Sequence, residues 1–446
     1  MFERNAIGFL RKWHKEKDHK PLILRGARQV GKTTLVNELG KEFSNYLYFN
    51  LEKKSDRQVF ETDLPVDDII RLLFLRKEMA MNEGDTLIFI DEIQNSSKTM
   101  SMLRYFYEER PDVFVIAAGS LLENIVDVKA SFPVGRVDFL PLRPCTFREF
   151  LVALEKNGAL EIMTNPALTV TFHDEYMKLF NEYFLVGGMP EAVQHYSEHH
   201  DIISNNRIYS RLISAYMDDV EKYTRSNKLT EVVRYIIKYG WMNAGEIISF
   251  SSFAHSAYKS REMGEAFRLL QKAMLLELSY PTTSTMPPVI PEMSRRPKLF
   301  WFDTGLVNYV GNVRKEVIGT DAIMGIWKGR VAEQMAAQEI LALTDDINVA
   351  RSFWVSGKGE QGAEVDLLWY VDSELIPIEV KAGHNSHLRS LHSFMDGSAA
   401  EVAVRIWSGP FSVDDVITLG KKKPFRLINL PFYLIGNIEE IVKRHS

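Results

Sequence analysis

Eight consecutive residues, Gly26-Ala27-Arg28-Gln29-Val30-Gly31-Lys32-Thr33, place two glycines, a lysine and a hydroxyl at the spacing GxxxxGK[ST]. That pattern suits phosphate. Glycines let a loop bend close to the oxygens, while backbone N–H groups and the N-terminus of the next helix face the anion. Lys32 is expected to reach the β and γ phosphates and Thr33 to ligate magnesium, with Thr34 and the rest of the loop as nucleotide contacts. A second apolar run, Thr86 to Ile90, ends in Asp91 and Glu92. Asp91 can hold the magnesium through water, and Glu92 can orient or deprotonate an attacking water. Ser120 follows another apolar run and can sense a γ-phosphate, or serve as an ordinary turn serine. Arg136 can stabilise a transferring phosphoryl group in its own subunit or a neighbour, or form a surface ion pair.

A second group lies near the C-terminus, where Glu379 follows Asp366 by 13 positions and Lys381 follows Glu379 by two. Residues two apart on a strand share a face, and an adjacent strand can bring Asp366 beside them. Two carboxylates bind a hard divalent cation, and an ammonium beside them can activate water for phosphodiester attack. Glu364 can join as a further ligand or pair with a basic residue. The competing reading is a salt-bridged Glu-x-Lys on an ordinary amphipathic strand.

The elements that must hold these groups follow from patterning. Residues 1–146 alternate short apolar strands with amphipathic helices, the signature of an α/β fold with a parallel sheet covered on both faces. Strands are expected at Pro21 to Arg25, Tyr46 to Leu51, Thr86 to Asp91, Val113 to Ala118 and Val137 to Leu142. Residues 147–228 show only a 3.6-residue period and predict an all-helical appendage. Residues 229–303 predict short helices near Val232 to Tyr239 and Gly245 to Phe250, a longer one from Ser260 to Glu277, and a two-stranded wing. That is the outline of a winged helix. Residues 304–446 begin with helix and turn to strands, a separate mixed α/β domain.

Composition limits the function classes. The 446 residues allow two to four domains, and 46% hydrophobic with 25% charged residues excludes fibrous and wholly disordered chains. A formal charge of -5 means that any polyanion must be held by a local patch. The single cysteine, Cys145, fits a reducing compartment and reads as a core or loop residue. No secretory leader is visible and no apolar run approaches the roughly 18 residues of a membrane span, so a cytoplasmic protein without a membrane partner is expected. His195, His199 and His200 read as a surface helix. His384, His387 and His392 follow the Glu-x-Lys strand with no fixed direction.

The phosphate loop, the Ile-Asp-Glu strand end, Ala-Ala-Gly-Ser120, Gly-Arg136, PLRPCTFREFL and YFLVGGMPEAV together resemble the AAA-type ATPase module of a large prokaryotic family. The resemblance implies a P-loop NTPase sheet, a helical lid, a winged helix and a C-terminal PD-(D/E)xK endonuclease-like domain. The last is matched here by Asp366, Glu379 and Lys381, with Glu333 as the additional helical acid; alanine and glutamate stand where the family has proline before the aspartate. The implied activity is magnesium-dependent ATP hydrolysis, coupled to DNA binding and metal-dependent cleavage. The alternative is an ATP-switched DNA- or protein-binding regulator with an inactive nuclease-like domain. DNA contacts are expected from Lys259, Arg261, Arg268 and Lys272, and on the wing from Arg295, Arg296 and Lys298; the alternatives are a solvated basic face or a surface that docks protein. A homo-oligomer is compatible with an arginine acting between subunits.

Overall fold

The computed structural model describes residues 2–81, 83–120, 133, 135–224, 226–312, 326–357, 362–382 and 388–446. His384 and His387 lie outside them. After a helix α1 (Ala6–His14), the chain enters β1 (Leu22–Arg25), the phosphate loop and α2 (Lys32–Gly40). It continues through β2 (Asn45–Asn50), α3 (Lys54–Phe60), α4 (Val66–Arg76), β3 (Thr86–Asp91), α5 (Ser97–Glu109), β4 (Val113–Gly119) and β5 (Asp138–Pro141). These strands form a parallel sheet in the order β2-β3-β4-β1-β5. Leu22, Ile23, Leu24 and Leu87 to Ile90 are wholly buried, because helices cover both faces. Register sets Leu24 beside Ala118 and Ile90 beside Ala117. The phosphate loop, Asp91 and Ser120 therefore emerge together at the C-terminal edge, where open α/β sheets bind ligands.

Residues 147–224 are helical as expected: α6 (Phe147–Ala153), short helices Asn157–Ile162 and Pro166–Thr169, α7 (His173–Val186), α8 (Pro190–His199) and α9 (Asn206–Tyr223). Then come α10 (Asn227–Tyr239), α11 (Ser260–Lys272), β6 (Leu276–Thr282) and β7 (Lys298–Trp301). The expected helix at Gly245 to Phe250 is corrected. Ile247 bridges Lys298 in antiparallel fashion, with Ile248 N donating to Pro297 O at 2.8 Å. Gly245 enters this stretch at φ +73, and a Cβ there would lie 2.3 Å from Arg330 O, so only glycine fits. The helix expected to reach Glu277 stops at Lys272, since Met274 adopts φ +58 and turns the chain into β6.

The remaining elements are α12 (Thr304–Val310), α13 (Ile326–Leu341), β8 (Ser352–Val355), β9 (Glu364–Val371), β10 (Glu374–Lys381), α14 (Arg389–Gly397), β11 (Val402–Trp407), β12 (Ser412–Ile417), β13 (Pro424–Pro431) and α15 (Ile438–His445). They build an eight-stranded sheet in the order β12-β13-β11-β10-β9-β8-β6-β7. Strand β6 joins two units, pairing with β7 through Leu276 to Ser279 and with β8 through Tyr280 to Thr282. One buried apolar cluster runs from Ile7 to Val442 and takes residues from every segment. Helix α13 ties them with polar groups: Gln334 Oε1 accepts from Trp301 N, Gln338 Oε1 from Thr304 N, and Glu339 Oε1 from Phe147 N at 3.1 Å and Tyr183 OH at 2.5 Å. Buried polar atoms need such partners, so these bonds fix how the segments dock.

Candidate functional site

The loop between β1 and α2 turns through Gln29 (φ +65) and Gly31 (φ +96), a left-handed conformation that costs glycine little. The Lys32 ammonium is buried and donates to the loop's own carbonyls, Gly26 O at 2.8 Å and Ala27 O at 2.9 Å. Burial pushes its pKa down to about 8, with Arg28 adding to the fall while Glu92 and Asp91 oppose it. A lysine in this state gains from an incoming anion. Thr33 Oγ1 donates to Asp91 Oδ2 at 2.7 Å, and Tyr48 OH reaches the same oxygen at 3.3 Å. An oxygen pair of this kind fits a hard divalent cation such as magnesium.

Glu92 stands at the end of β3 with φ +55, a left-handed residue that its surroundings must hold in place. Its N–H donates to Asp91 Oδ1 at 3.0 Å, and Gln94 Nε2 binds its carboxylate. Burial, then the neighbouring Asp91, raises its pKa above the ordinary glutamate value, which suits a proton acceptor. Ser120 is buried at the tip of β4 on the same edge.

Arg136 is not brought to this edge, which corrects its role within one subunit. Strand β5 runs parallel to β1 with Asp138 facing Leu22 and Pro141 facing Arg25. Arg136 therefore sits at the opposite end of the sheet, about 13 Å of strand away at roughly 3.3 Å per residue. There its Nε donates to Glu108 Oε1 at 2.9 Å in an exposed ion pair.

Several contacts at the loop had no local signal in sequence. Arg4 donates to Val30 O at 3.1 Å, to Arg143 O at 2.8 Å and to Glu149 Oε1 at 2.9 Å, clamping the loop to α6. From α9, Asp219 binds Arg28, and Tyr216 OH donates to Arg28 O at 3.2 Å. The ring of Pro190 also lies near Gly31, 3.7 Å from where a Cβ would stand. The helical segment thus rests directly on the loop. Gln94 was within reach of sequence reasoning, two residues after the acid it orients.

The C-terminal acids do converge. Continuing the β9–β10 register past Leu367 opposite Ile378 sets Asp366 opposite Glu379, and Asp366 Oδ2 accepts from Val380 N at 2.8 Å. Lys381 Nζ lies 2.6 Å from Glu379 Oε1, and α13 delivers Glu333. Lys298, expected to meet DNA from a wing, is corrected: only 2% exposed, it is not available to DNA. Its Nζ lies 2.8 Å from Glu333 Oε2, 2.5 Å from Glu364 Oε1 and 3.4 Å from Asp366 Oδ1. Burial alone would lower its pKa, but Glu333, Asp366 and Glu364 reverse this and hold it well above the lysine norm. Burial and the nearby Asp366 charge raise both Glu333 and Glu379. With this ammonium among the acids the donor set does not fit a metal ion. Among the described residues no group of three or more His, Cys, Asp or Glu is arranged to hold one.

The other expected DNA contacts divide. Lys259, Arg261 and Arg296 are exposed, while Arg295 donates to Gly357 O at 3.0 Å. Arg268 and Lys272 line a cavity of about 380 Å³ beside Ala27 and Val30, together with Arg25, Arg143 and Arg351. Cys145 is fully buried, and His195 bonds Asn205 Oδ1 at 2.8 Å. No helix among the described residues is long and apolar enough to cross a membrane.

The parallel sheet, its glycine loop and its strand-end acids define a P-loop nucleotide-binding domain. Residues 18–151 match a family model described as an AAA domain, and this region is an AAA-type P-loop ATPase domain. Residues 177–317 and 328–420 match two domains of unknown function, DUF8612 and DUF4143. No curated protein matches the chain. Solved structures similar to it include the Walker-type ATPase PABY2304 of Pyrococcus abyssi, at 12% identity and a TM-score of 0.40, covering 70% of this chain and 96% of that one.

Proposed function

We propose that this protein binds and hydrolyses ATP and uses the nucleotide state to reposition its C-terminal half on DNA. The observation that carries the first part is the meeting of Lys32, Thr33, Asp91 and Glu92 at one edge of the sheet. In this reading Lys32 leaves the carbonyls of Gly26 and Ala27 for the β and γ phosphates. Thr33 and Asp91 would hold magnesium, which would neutralise phosphate charge there. Glu92, kept in place by Gln94, takes the proton of the attacking water, and Ser120 faces the γ position. The contact of Asp219 and Tyr216 with Arg28 supports a lid that feels whether the loop is filled. Lys32→Ala should abolish hydrolysis; normal turnover in that variant would remove the assignment.

Two further parts belong to this reading. The helices and antiparallel strand pair of residues 227–301 support reading this part as a winged helix, with Lys259, Arg261 and Arg296 on its surface to meet phosphates. The mixed sheet and clustered acids of residues 326–446 support reading this part as a PD-(D/E)xK nuclease-like fold, with Asp366, Glu379 and Lys381 as its centre. For this half the second reading is favoured, a DNA- or protein-binding domain that does not cut in the state described. The observation behind it is Lys298 at the centre of the acids. Plasmid incubated with Mg2+ or Mn2+ should stay intact; nicking by the wild type that Asp366→Ala removes would restore the cleaving reading.

A further inference from the structure

Glu333, Glu364, Asp366 and Glu379 gather on one side of β9 and β10 with two lysines, Lys298 and Lys381, among them. Four carboxylates thus crowd two ammonium groups in a largely buried place, and a divalent cation is a counter-charge that such oxygens accept. Glu379 points the same way. It is only 3% exposed, yet among the described residues its Oε2 has no hydrogen-bond partner. Against this, Lys298 Nζ stands within 3.4 Å of three of the four acids, where it repels any incoming cation.

Lys298 does not come from the strands that carry the acids. It opens β7, which pairs with Ser279 on one side and bridges Ile247 on the other. Its backbone is therefore anchored at the β7 edge of the eight-stranded sheet, and its side chain reaches the acids of β9 and α13. We infer that Lys298 is an internal cation that closes the acidic cluster, and that the cluster binds a divalent metal once this ammonium is withdrawn or removed. The inference rests on the nuclease-like reading of the C-terminal sheet. Its readout is metal binding, so its failure is distinguishable from failure of cleavage or of ATP hydrolysis.

The test titrates Mn2+ alone, without nucleotide, into the full-length protein and reads free ion by electron paramagnetic resonance. Wild type and Lys298→Arg, which keeps the positive charge, should show no tight site. Lys298→Met should gain one site about tenfold or more tighter, the relief expected from removing a buried like charge, and Asp366→Asn in that background should abolish it. Lys298→Gln, which retains reach and hydrogen bonding, serves as the second variant if the methionine form melts early. A folded Lys298→Met or Lys298→Gln protein without the site overturns the inference. So does a tight wild-type site that Asp366→Asn removes, an arm that needs no change at Lys298.

Discussion

Thr33 Oγ1 donates to Asp91 Oδ2 across 2.7 Å, joining the first turn of α2 to the end of β3. A helix and a strand distant in sequence thus present adjacent oxygens of different character, one neutral and one charged. Asp91→Asn keeps the shape but removes the charge that a bound magnesium would need, so ATP turnover should fall about 100-fold or more, in the range seen when one charge-stabilising group is lost. A steady-state phosphate-release assay with a thermal melt checks this. An unchanged melt with lost turnover is the expected pair of results.

Lys32 gives the ATP site a pH dependence. Burial lowers its folded pKa to about 8, so the free site is protonated below that pH and increasingly neutral above it. ATP binds the charged form, and its affinity should therefore fall as pH rises through 8, by up to about tenfold per unit. Lys32→Met should bind weakly with no such slope. Titration calorimetry from pH 7 to 10 reads both.

Arg136 offers the contrasting case. Its ion pair with Glu108 lies at the far end of the sheet from the loop. Arg136→Ala should leave hydrolysis by dilute protein within about twofold of wild type and shift the melt little, as exposed ion pairs do. A large loss that appears only at high protein concentration would indicate action across subunits.

Glu339 couples stability to pH. Its folded pKa is raised to about 7, chiefly by burial, so the folded state holds a proton that the unfolded chain releases near 4.5. For a carboxylate raised in this way, stability falls as pH climbs through that window; from 4.5 to about 7 the loss amounts to about 3 kcal/mol. Glu339→Gln can still accept from Phe147 N and Tyr183 OH, and should flatten part of the decline between pH 5 and 7. Glu333 and Glu379 are raised as well, so a residual slope should remain. Denaturant melts at several pH values measure it.

Sequence and structure agree best where the physics is local. The loop from Gly26 to Thr33, the strand before it and the acids after Ile90 are neighbours in the chain, and their spacing alone implies the phosphate site. The pairing of Asp366 with Glu379 follows from strand alternation. What stayed hidden was long-range. Arg4 reaches Glu149 across 145 positions and Arg28 meets Asp219 across 191, contacts that no local period encodes. Lys298 looked like a wing lysine for the same reason, since its partner Asp366 lies 68 positions on in another unit. Arg136 misled because a residue just before a parallel strand sits at the edge away from the ligand, whereas one just after it, such as Ser120, sits beside it.

The most direct measurement of the central claim is single-turnover ATP hydrolysis by Glu92→Gln beside wild type, with bound nucleotide quantified on the same samples. Glutamine preserves the size of the side chain but cannot take the proton. The expected result is undiminished ATP binding with hydrolysis reduced about 100-fold or more, within the range general-base catalysis supplies. Hydrolysis at the wild-type rate in Glu92→Gln, with ATP bound in both, would contradict the assignment of the phosphate-loop edge as a hydrolytic site.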